Sequence, residues 1–111
     1  MIATHQDAAL SWLGAWSVET AAETSCSSVT NASDAIIMEW ECEQAWITLE
    51  LDLVRGVASL NLYEGAELLV ADDVPLLRSA IEEMLRWGLS QWRIYAKLEG
   101  DHDLLGDHIL V

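Results

Sequence analysis

The first third of the chain carries one helical pattern, followed by a stretch with no hydrophobic pattern. Over residues 3–16, Ala9, Leu13 and Trp16 recur every three or four positions, which predicts a helix with one apolar stripe. Residues 17–34 are rich in Ser, Thr and Ala and show no bulky periodicity. That composition predicts a flexible loop or linker.

From residue 35 onward the hydrophobic period changes to two, which is the pattern of β-strands. Three alternating runs cover residues 35–42, 46–53 and 57–63, and each presents one apolar face. Residues 67–70 predict a short fourth strand. Because the connections between the runs are short, we expect an antiparallel meander.

Helical spacing then returns for a limited stretch. Asp72 and Pro75 are typical of a helix start, and Gly88 is typical of a helix end, so a helix is predicted over about 74–87. Beyond it, apolar and polar residues alternate over 92–98, which predicts a final strand. The expected buried stripe of the helix consists of Leu77, Ala80, Ile81, Met84 and Leu85.

This order of elements predicts an α+β fold. We expect an antiparallel sheet of about four to five strands, with an N-terminal helix and the second helix (about 74–87) packed on one face. Residues 104–111 would add an edge strand or pack as a tail. The length of 111 residues predicts a single domain over 1–111, and the 52% hydrophobic content is enough for a core.

Charge is the strongest global signal in the composition. Nineteen acidic residues stand against five basic ones, for a formal net charge of −14, and the first 54 residues contain no Lys or Arg. Such a field repels nucleic acid and anionic membranes and attracts cationic surfaces. A high net negative charge can also serve only to keep a protein soluble. The charge therefore indicates a class of partner but does not identify one.

The first residues do not predict a secretory signal, because they lack a basic segment followed by an apolar one. No apolar run approaches the roughly 18 residues of a membrane span. Two cysteines, Cys26 and Cys42, form neither a disulfide framework nor a CxxC pair. These features predict a cytoplasmic protein with reduced thiols.

Acidic residues concentrate on the outward faces of the first two predicted strands. In a hairpin these faces adjoin, so five carboxylates and one indole would share a surface. Two interpretations stay open: a docking face for a basic protein with an aromatic anchor, or a solvated acidic face. The candidate partner-binding residues on this surface are Glu39, Glu41, Glu43, Trp46, Glu50 and Asp52.

A second acidic segment lies near the C-terminus and reads EGDHDLLGDH. Its histidines, His102 and His108, are six residues apart, a spacing that fits neither a helical pair nor one strand face. We therefore predict no metal site and no other cofactor here. Asp101, Asp103 and Asp107 remain candidate contacts for the same basic partner.

The sequence holds no motif with a known catalytic mechanism. GxSxG, the P-loop and GxGxxG are all absent, and neither cysteine lies in a catalytic motif. No catalytic residue is predicted, and the chain is expected not to be an enzyme.

The predicted α-β-β-β-α-β order and the pI of about 4.2 resemble, in size and charge, the type III secretion chaperones, which are small, acidic and dimeric. The usual C-terminal helix of that family is missing from the predicted elements. The chain is similar in the same general way to immunity proteins of bacterial toxin systems and to phage-encoded inhibitors that imitate nucleic acid.

We therefore expect a non-enzymatic binding protein that neutralises a basic protein partner, foremost an immunity-type inhibitor of a bacterial toxin. An export chaperone and a nucleic-acid-mimic inhibitor are the alternatives. The first two hypotheses differ in oligomeric state, because a chaperone should be a stable homodimer, whereas an inhibitor can be a monomer.

Overall fold

The computed structural model describes residues 11–42 and 45–100, with side chains described up to Tyr95. Along the described part of the chain, five strands lie between two helices. In chain order the elements are α1 (Trp12–Thr24), β1 (Ser28–Asn31), β2 (Ala35–Cys42), β3 (Ala45–Asp52), β4 (Val57–Glu64), β5 (Glu67–Pro75) and α2 (Arg78–Gly100).

The strands form one antiparallel sheet in the order β1-β2-β3-β4-β5, so every strand pairs with its neighbours in sequence. Two of the turns use glycine in the left-handed region: Gly56 has φ +73° and Gly65 has φ +62°. Gly65 occupies the first central position of the β4–β5 hairpin, where a type II′ turn requires positive φ. The predicted antiparallel α+β meander is confirmed.

Alternate residues of the three central strands point to one face and form the core. Both helices pack on that face, α1 through Leu13 and Trp16, and α2 through Ile81, Leu85 and Leu89. Burial of each such side chain contributes roughly 1.5–3 kcal/mol, so this layer is the main source of stability. The strand residues in the core are Ile36, Met38, Trp40, Ile47, Leu49, Leu51, Ala58, Leu60 and Leu62.

The second helix is longer than predicted and crosses the sheet at a glycine. It runs for 23 residues, and Gly88 lies in its interior. A Cβ atom placed on Gly88 would come within 2.7 Å of Leu60 Cδ1 and 2.9 Å of Ile47 Cδ1. Gly88 therefore allows close packing on β3 and β4 and does not end the helix. The predicted strand over 92–98 is wrong, because those residues continue α2.

The helix α1 also extends further than predicted. It runs to Thr24, where Ser25 adopts the left-handed conformation (φ 57°) and its N–H bonds the carbonyl of Ala21. Residues 28–31 then form β1, so the predicted loop over 17–34 contains the end of a helix and a strand. The predicted helix start near residue 3 lies outside the described residues.

The predicted helix start at Asp72–Pro75 is wrong, because these residues close β5. The β4–β5 ladder continues until Val57 pairs with Pro75. Pro75 is tolerated because β5 lies at the edge of the sheet, where a missing N–H costs little. The helix then begins at Arg78, which leaves Leu77 59% exposed outside the buried stripe predicted for it.

Tryptophan residues of the core each satisfy their indole N–H. Trp16 donates to Glu82 Oε2 at 2.9 Å, and the fully buried Trp40 donates to Thr24 Oγ1 at 2.9 Å. Trp92, which is partly buried, donates to the carbonyl of Ala45 at 3.0 Å. Trp12 meets Trp16 edge to face, with ring centroids 6.2 Å apart. These bonds tie both helices to each other and to the sheet.

We expect Gly88→Ala to lower the free energy of unfolding by about 1–3 kcal/mol, because the new methyl group overpacks a filled core. Because alanine has a higher helix propensity than glycine, a loss of stability in this variant would come from packing in the core. The matched control is Gly14→Ala in α1, where no atom lies within 4 Å of the added Cβ. That variant should gain about 0.5–1 kcal/mol. Urea unfolding measures both, and a Gly88→Ala protein as stable as the control would contradict this account.

Candidate functional site

The face of the sheet opposite the helices, called the outer face, consists of alternate residues of each strand, apart from a shift of register in β5 between Leu68 and Val70. Strand register aligns its side chains in four rows across β2 to β5. None of the residues in these rows is Lys, Arg or His, although the rows contain five acids. The rows are Glu41, Trp46, Tyr63 and Leu68; Glu39, Thr48, Asn61 and Ala71; Ile37, Glu50, Ser59 and Asp73; and Ala35, Asp52, Val57 and Pro75.

Register also separates the acids from one another. Glu39 lies opposite Thr48, Glu41 opposite Trp46, and Glu50 opposite Ile37, so each carboxylate of the β2–β3 hairpin faces an uncharged side chain. Direct like-charge pairs, which destabilise a sheet, are thereby avoided in this hairpin. Direct cross-strand repulsion therefore does not add to the cost of this acidic hairpin.

The structure brings together five of the nine residues predicted to bind a partner. Glu39, Glu41, Trp46, Glu50 and Asp52 share the outer face. The other four, Glu43, Asp101, Asp103 and Asp107, lie outside the described residues. Placement on one face is a fact of the fold, while a binding role stays a prediction.

The four acids from the predicted set differ in what they already bind. Asp52 Oδ1 accepts the N–H groups of Val54 and Arg55 at 3.0 and 2.9 Å, so it stabilises the β3–β4 turn. Glu39 accepts a 3.2 Å bond from the hydroxyl of Ser28.

The remaining two, Glu41 and Glu50, are exposed. Their carboxylates make no hydrogen bond or ion pair within the described part of the chain. Both are therefore available to a partner.

An aromatic pair occupies one end of the outer face. Trp46 stacks on Tyr63, with ring centroids 5.1 Å apart and planes 20° from parallel. Leu68, next in the same row, is 48% exposed. Sequence reasoning found Trp46 but missed Tyr63 and Leu68. Pairing residues outward from the short β3–β4 and β4–β5 turns, one strand against the next, would have placed Tyr63 and Leu68 in the same row as Trp46.

A second concavity lies between the two helices, with a volume of about 370 Å³. Trp16 and Glu82 form part of its lining, and Arg78 bonds Glu82 at 3.1 Å. The Trp16 indole, followed by Arg78, holds the pKa of Glu82 below its ordinary value of 4.5. This carboxylate therefore joins α1 to α2 as an ion, and its contacts are those of a structural link.

Metal-ligating residues do not cluster in the described ranges 11–42 and 45–100, where no group of three or more His, Cys, Asp and Glu could hold an ion. Both cysteines are free. Burial raises the pKa of the Cys26 thiol, whose Sγ lies 3.1 Å from the Ser28 carbonyl. No helix within those ranges is long and apolar enough to cross a membrane.

Comparisons with known proteins identify no family, because no family model, no curated protein and no solved structure matches the chain. The outer face and the surfaces of the helices are therefore the basis for any functional argument.

We expect Trp46→Ala to cost about 1 kcal/mol of stability, because it removes one partly buried aromatic pair from the outer face. The comparison is Trp40→Ala, which empties a fully buried site and should cost roughly 3–5 kcal/mol. Guanidinium unfolding followed by far-UV circular dichroism measures both. Equal losses would mean that Trp46 is a core residue and is not available as an anchor.

The lowered pKa of Glu82 makes its contribution to stability dependent on pH. That contribution is present above pH 4.5 and is lost as the pH falls through the lower pKa of the folded state. The side chain is 38% exposed, so solvent screens it, and Glu82→Gln should cost less than about 1 kcal/mol at pH 7. The difference from wild type should shrink as the pH falls below 4.5. Glu19→Gln, which changes an exposed acid on α1, is the control and should leave the free energy of unfolding at pH 7 close to that of wild type.

Proposed function

We propose that this chain is a small non-enzymatic binding protein that holds a basic protein partner against its outer face. Among the roles open to such a protein, we propose an immunity-type inhibitor of a bacterial toxin. The observation that supports this proposal is the outer face itself, which the helices leave uncovered and which carries acids without one basic residue in its four rows. The non-enzymatic part rests on the lack of a catalytic motif in the sequence.

Two parts of the outer face would contribute differently to binding. Glu41 and Glu50 supply unpaired negative charge, which accelerates encounter with a cationic surface and fixes its orientation. Trp46 and Tyr63 supply a rigid apolar surface at one end, of the type that dominates binding energy at protein interfaces. Together they fit a partner with Lys or Arg beside an apolar pocket. If that basic surface is the active site of a toxin, docking blocks it.

An export chaperone is the second candidate, and one observation favours it. The strand β5 is nine residues long and lies at the edge of the sheet. An edge strand of this length can take an extended client segment through main-chain hydrogen bonds. A client bound there would contact backbone more than carboxylates, so its affinity would depend weakly on the acids of β2 and β3.

A nucleic-acid mimic requires acids repeated along the whole face. Here Ser59 and Asn61 of β4 interrupt them, and the aromatic pair occupies one end. The outer face therefore fits a protein surface better than the binding cleft of a nucleic-acid enzyme.

The test is a charge reversal with a matched control. Immobilised wild type should capture a basic protein from a lysate of the native host, and Glu41→Lys/Glu50→Lys should lose it. The control is Glu19→Lys/Glu23→Lys, which makes the same change in net charge on α1, where both acids are exposed.

With the purified partner, the outer-face variant should lower the association rate constant by about tenfold or more at low salt, and less at high salt. If both double variants lose the partner to the same extent, net charge alone is responsible and the outer face is not the site. If neither variant loses a captured client, the edge-strand chaperone replaces the inhibitor.

A further inference from the structure

The concavity between α1 and α2 combines an apolar floor with polar and charged walls. Its volume of about 370 Å³ lies in the range of pockets that hold small molecules. Three core residues form the floor, because Trp16, Leu85 and Leu89 line the concavity and are each at most 4% exposed. A ligand with an apolar part and a charged part suits such a lining. The polar and charged lining residues are Thr20, Glu23, Thr24, Glu82, Arg86 and Arg93.

Thr20 presents an unused hydroxyl group to this concavity. The residue is only 9% exposed, and its side chain makes no hydrogen bond within the described part of the chain. The hydroxyl of Thr24, in contrast, donates to the carbonyl of Thr20 and accepts the indole N–H of Trp40. Among the described residues, no buried side-chain polar atom that is sealed from solvent lacks a partner. The Thr20 hydroxyl therefore opens into the concavity, and its partner has to come from there.

Two guanidinium groups stand on the α2 side of the same concavity. Arg86 and Arg93 are seven residues apart, which is two turns and about 10 Å along one side of the helix. Both side chains are exposed, and neither forms a hydrogen bond or an ion pair within the described ranges. They are therefore available to an anion, for which the planar guanidinium group is a strong hydrogen-bond donor.

The acids of the lining do not cancel this positive charge. The carboxylate of Glu82 accepts bonds from the indole of Trp16 and from Arg78, so its charge is balanced inside the protein. Arg86 adds only a weaker attraction to it. Glu23 is exposed on the α1 side. Two guanidinium groups thus stand against one remaining carboxylate, in a chain whose net charge is −14, and the concavity favours an anion over a cation.

We propose that this concavity is a binding site for a small organic anion, in which a carboxylate is attached to an apolar body. The apolar body packs on the floor. The carboxylate lies between the helices, where it accepts hydrogen bonds from Arg86 and Arg93 on one side and from the hydroxyl of Thr20 on the other. The site is on the helix side of the sheet, opposite the outer face, so the proposal goes beyond the proposed function and does not depend on it.

Probes that share one ring system and differ in charge test the site. 2-Naphthoate is an anion at pH 7, 2-naphthamide is neutral and similar in shape, and 2-naphthylmethylamine is a cation. An NMR titration of the full chain in low salt measures each dissociation constant and locates each probe. We expect 2-naphthoate to bind about fivefold more tightly than the amide, or better, and more tightly than the amine. The largest shifts should fall on the Trp16 indole N–H and on the amides of Thr20 and Leu89.

Four outcomes of this titration would overturn the proposal. Equal affinity for the anion and the amide would mean that only the apolar floor binds. Tightest binding of the amine would assign the site to Glu23. Absence of 2-naphthoate binding at millimolar concentration, or shifts centred on another surface such as the exposed Trp87, would reject the concavity as the site.

Substitution of the two arginines tests which groups hold the carboxylate. Arg86→Gln/Arg93→Gln should raise the dissociation constant of 2-naphthoate about tenfold or more, and it should leave that of 2-naphthamide nearly unchanged. The unchanged amide shows that the floor is still folded. Each single variant is compared with Arg55→Gln, which removes the same charge from a 72% exposed side chain in the β3–β4 turn and should change binding less than about twofold. A double variant that binds 2-naphthoate as tightly as wild type would overturn the proposal.

Thr20→Val tests the contact from α1, because it removes the hydroxyl and keeps the shape of the side chain. The variant should raise the dissociation constant of 2-naphthoate about three- to tenfold, as loss of one hydrogen bond does. Its stability should not fall, whereas Thr24→Val should be less stable because it loses the bond from Trp40. A Thr20→Val protein that is stable and binds 2-naphthoate as wild type does would show that the carboxylate does not reach α1, and it would overturn the proposed arrangement.

Discussion

The close approach of α2 to the sheet at Gly88 is the contact on which the rest of the structure depends. With no side chain at that position, the helix backbone lies against Leu60 and Ile47, which come from the neighbouring strands β4 and β3. The helix can then bury Ile81 and Leu89 over the middle of the sheet. A bulkier residue would lift α2 away and open the core, because protein interiors have no spare volume.

The same close approach limits what the sheet can cover. A helix that packs on a sheet buries the side chains on one of its sides, and α2 also carries large apolar side chains outside that side. Trp92 packs against the core, while Trp87 and Ile94 stay exposed. The exposure of Trp87 and Ile94 is therefore a consequence of how α2 packs on the core.

Sequence reasoning succeeded where one local signal dominated. Period-two alternation defined β2, β3 and β4, because one face of each is fully buried and the other is polar. It failed at Gly88, since glycine usually costs a helix interior about 1 kcal/mol and so marks ends. It failed over 92–98 because Trp92 and Ile94 are two residues apart, which is the spacing of one strand face. On α2, Trp92 contacts the core and Ile94 is exposed.

Two further errors have the same origin in missing local signals. The helix α1 ends at Ser25 in a left-handed conformation that glycine or asparagine normally adopts, so its end was not visible in the sequence. Asp72 and Pro75 are typical of a helix start, yet pairing with β4 extends the strand through both. Tertiary pairing overrode the local preference in this case. Tyr63 joined the candidate site only through register, which depends on turn geometry more than on composition.

Register also explains how one sheet carries its acids without losing stability. Opposite each carboxylate of the β2–β3 hairpin stands a Thr, Trp, Ile or Ala, so repulsion acts only along diagonals and along each strand. The bases are confined largely to α2, on the far side. Charge is therefore distributed unevenly over the protein, with an acidic outer face on the sheet and a helix α2 whose net charge is close to zero.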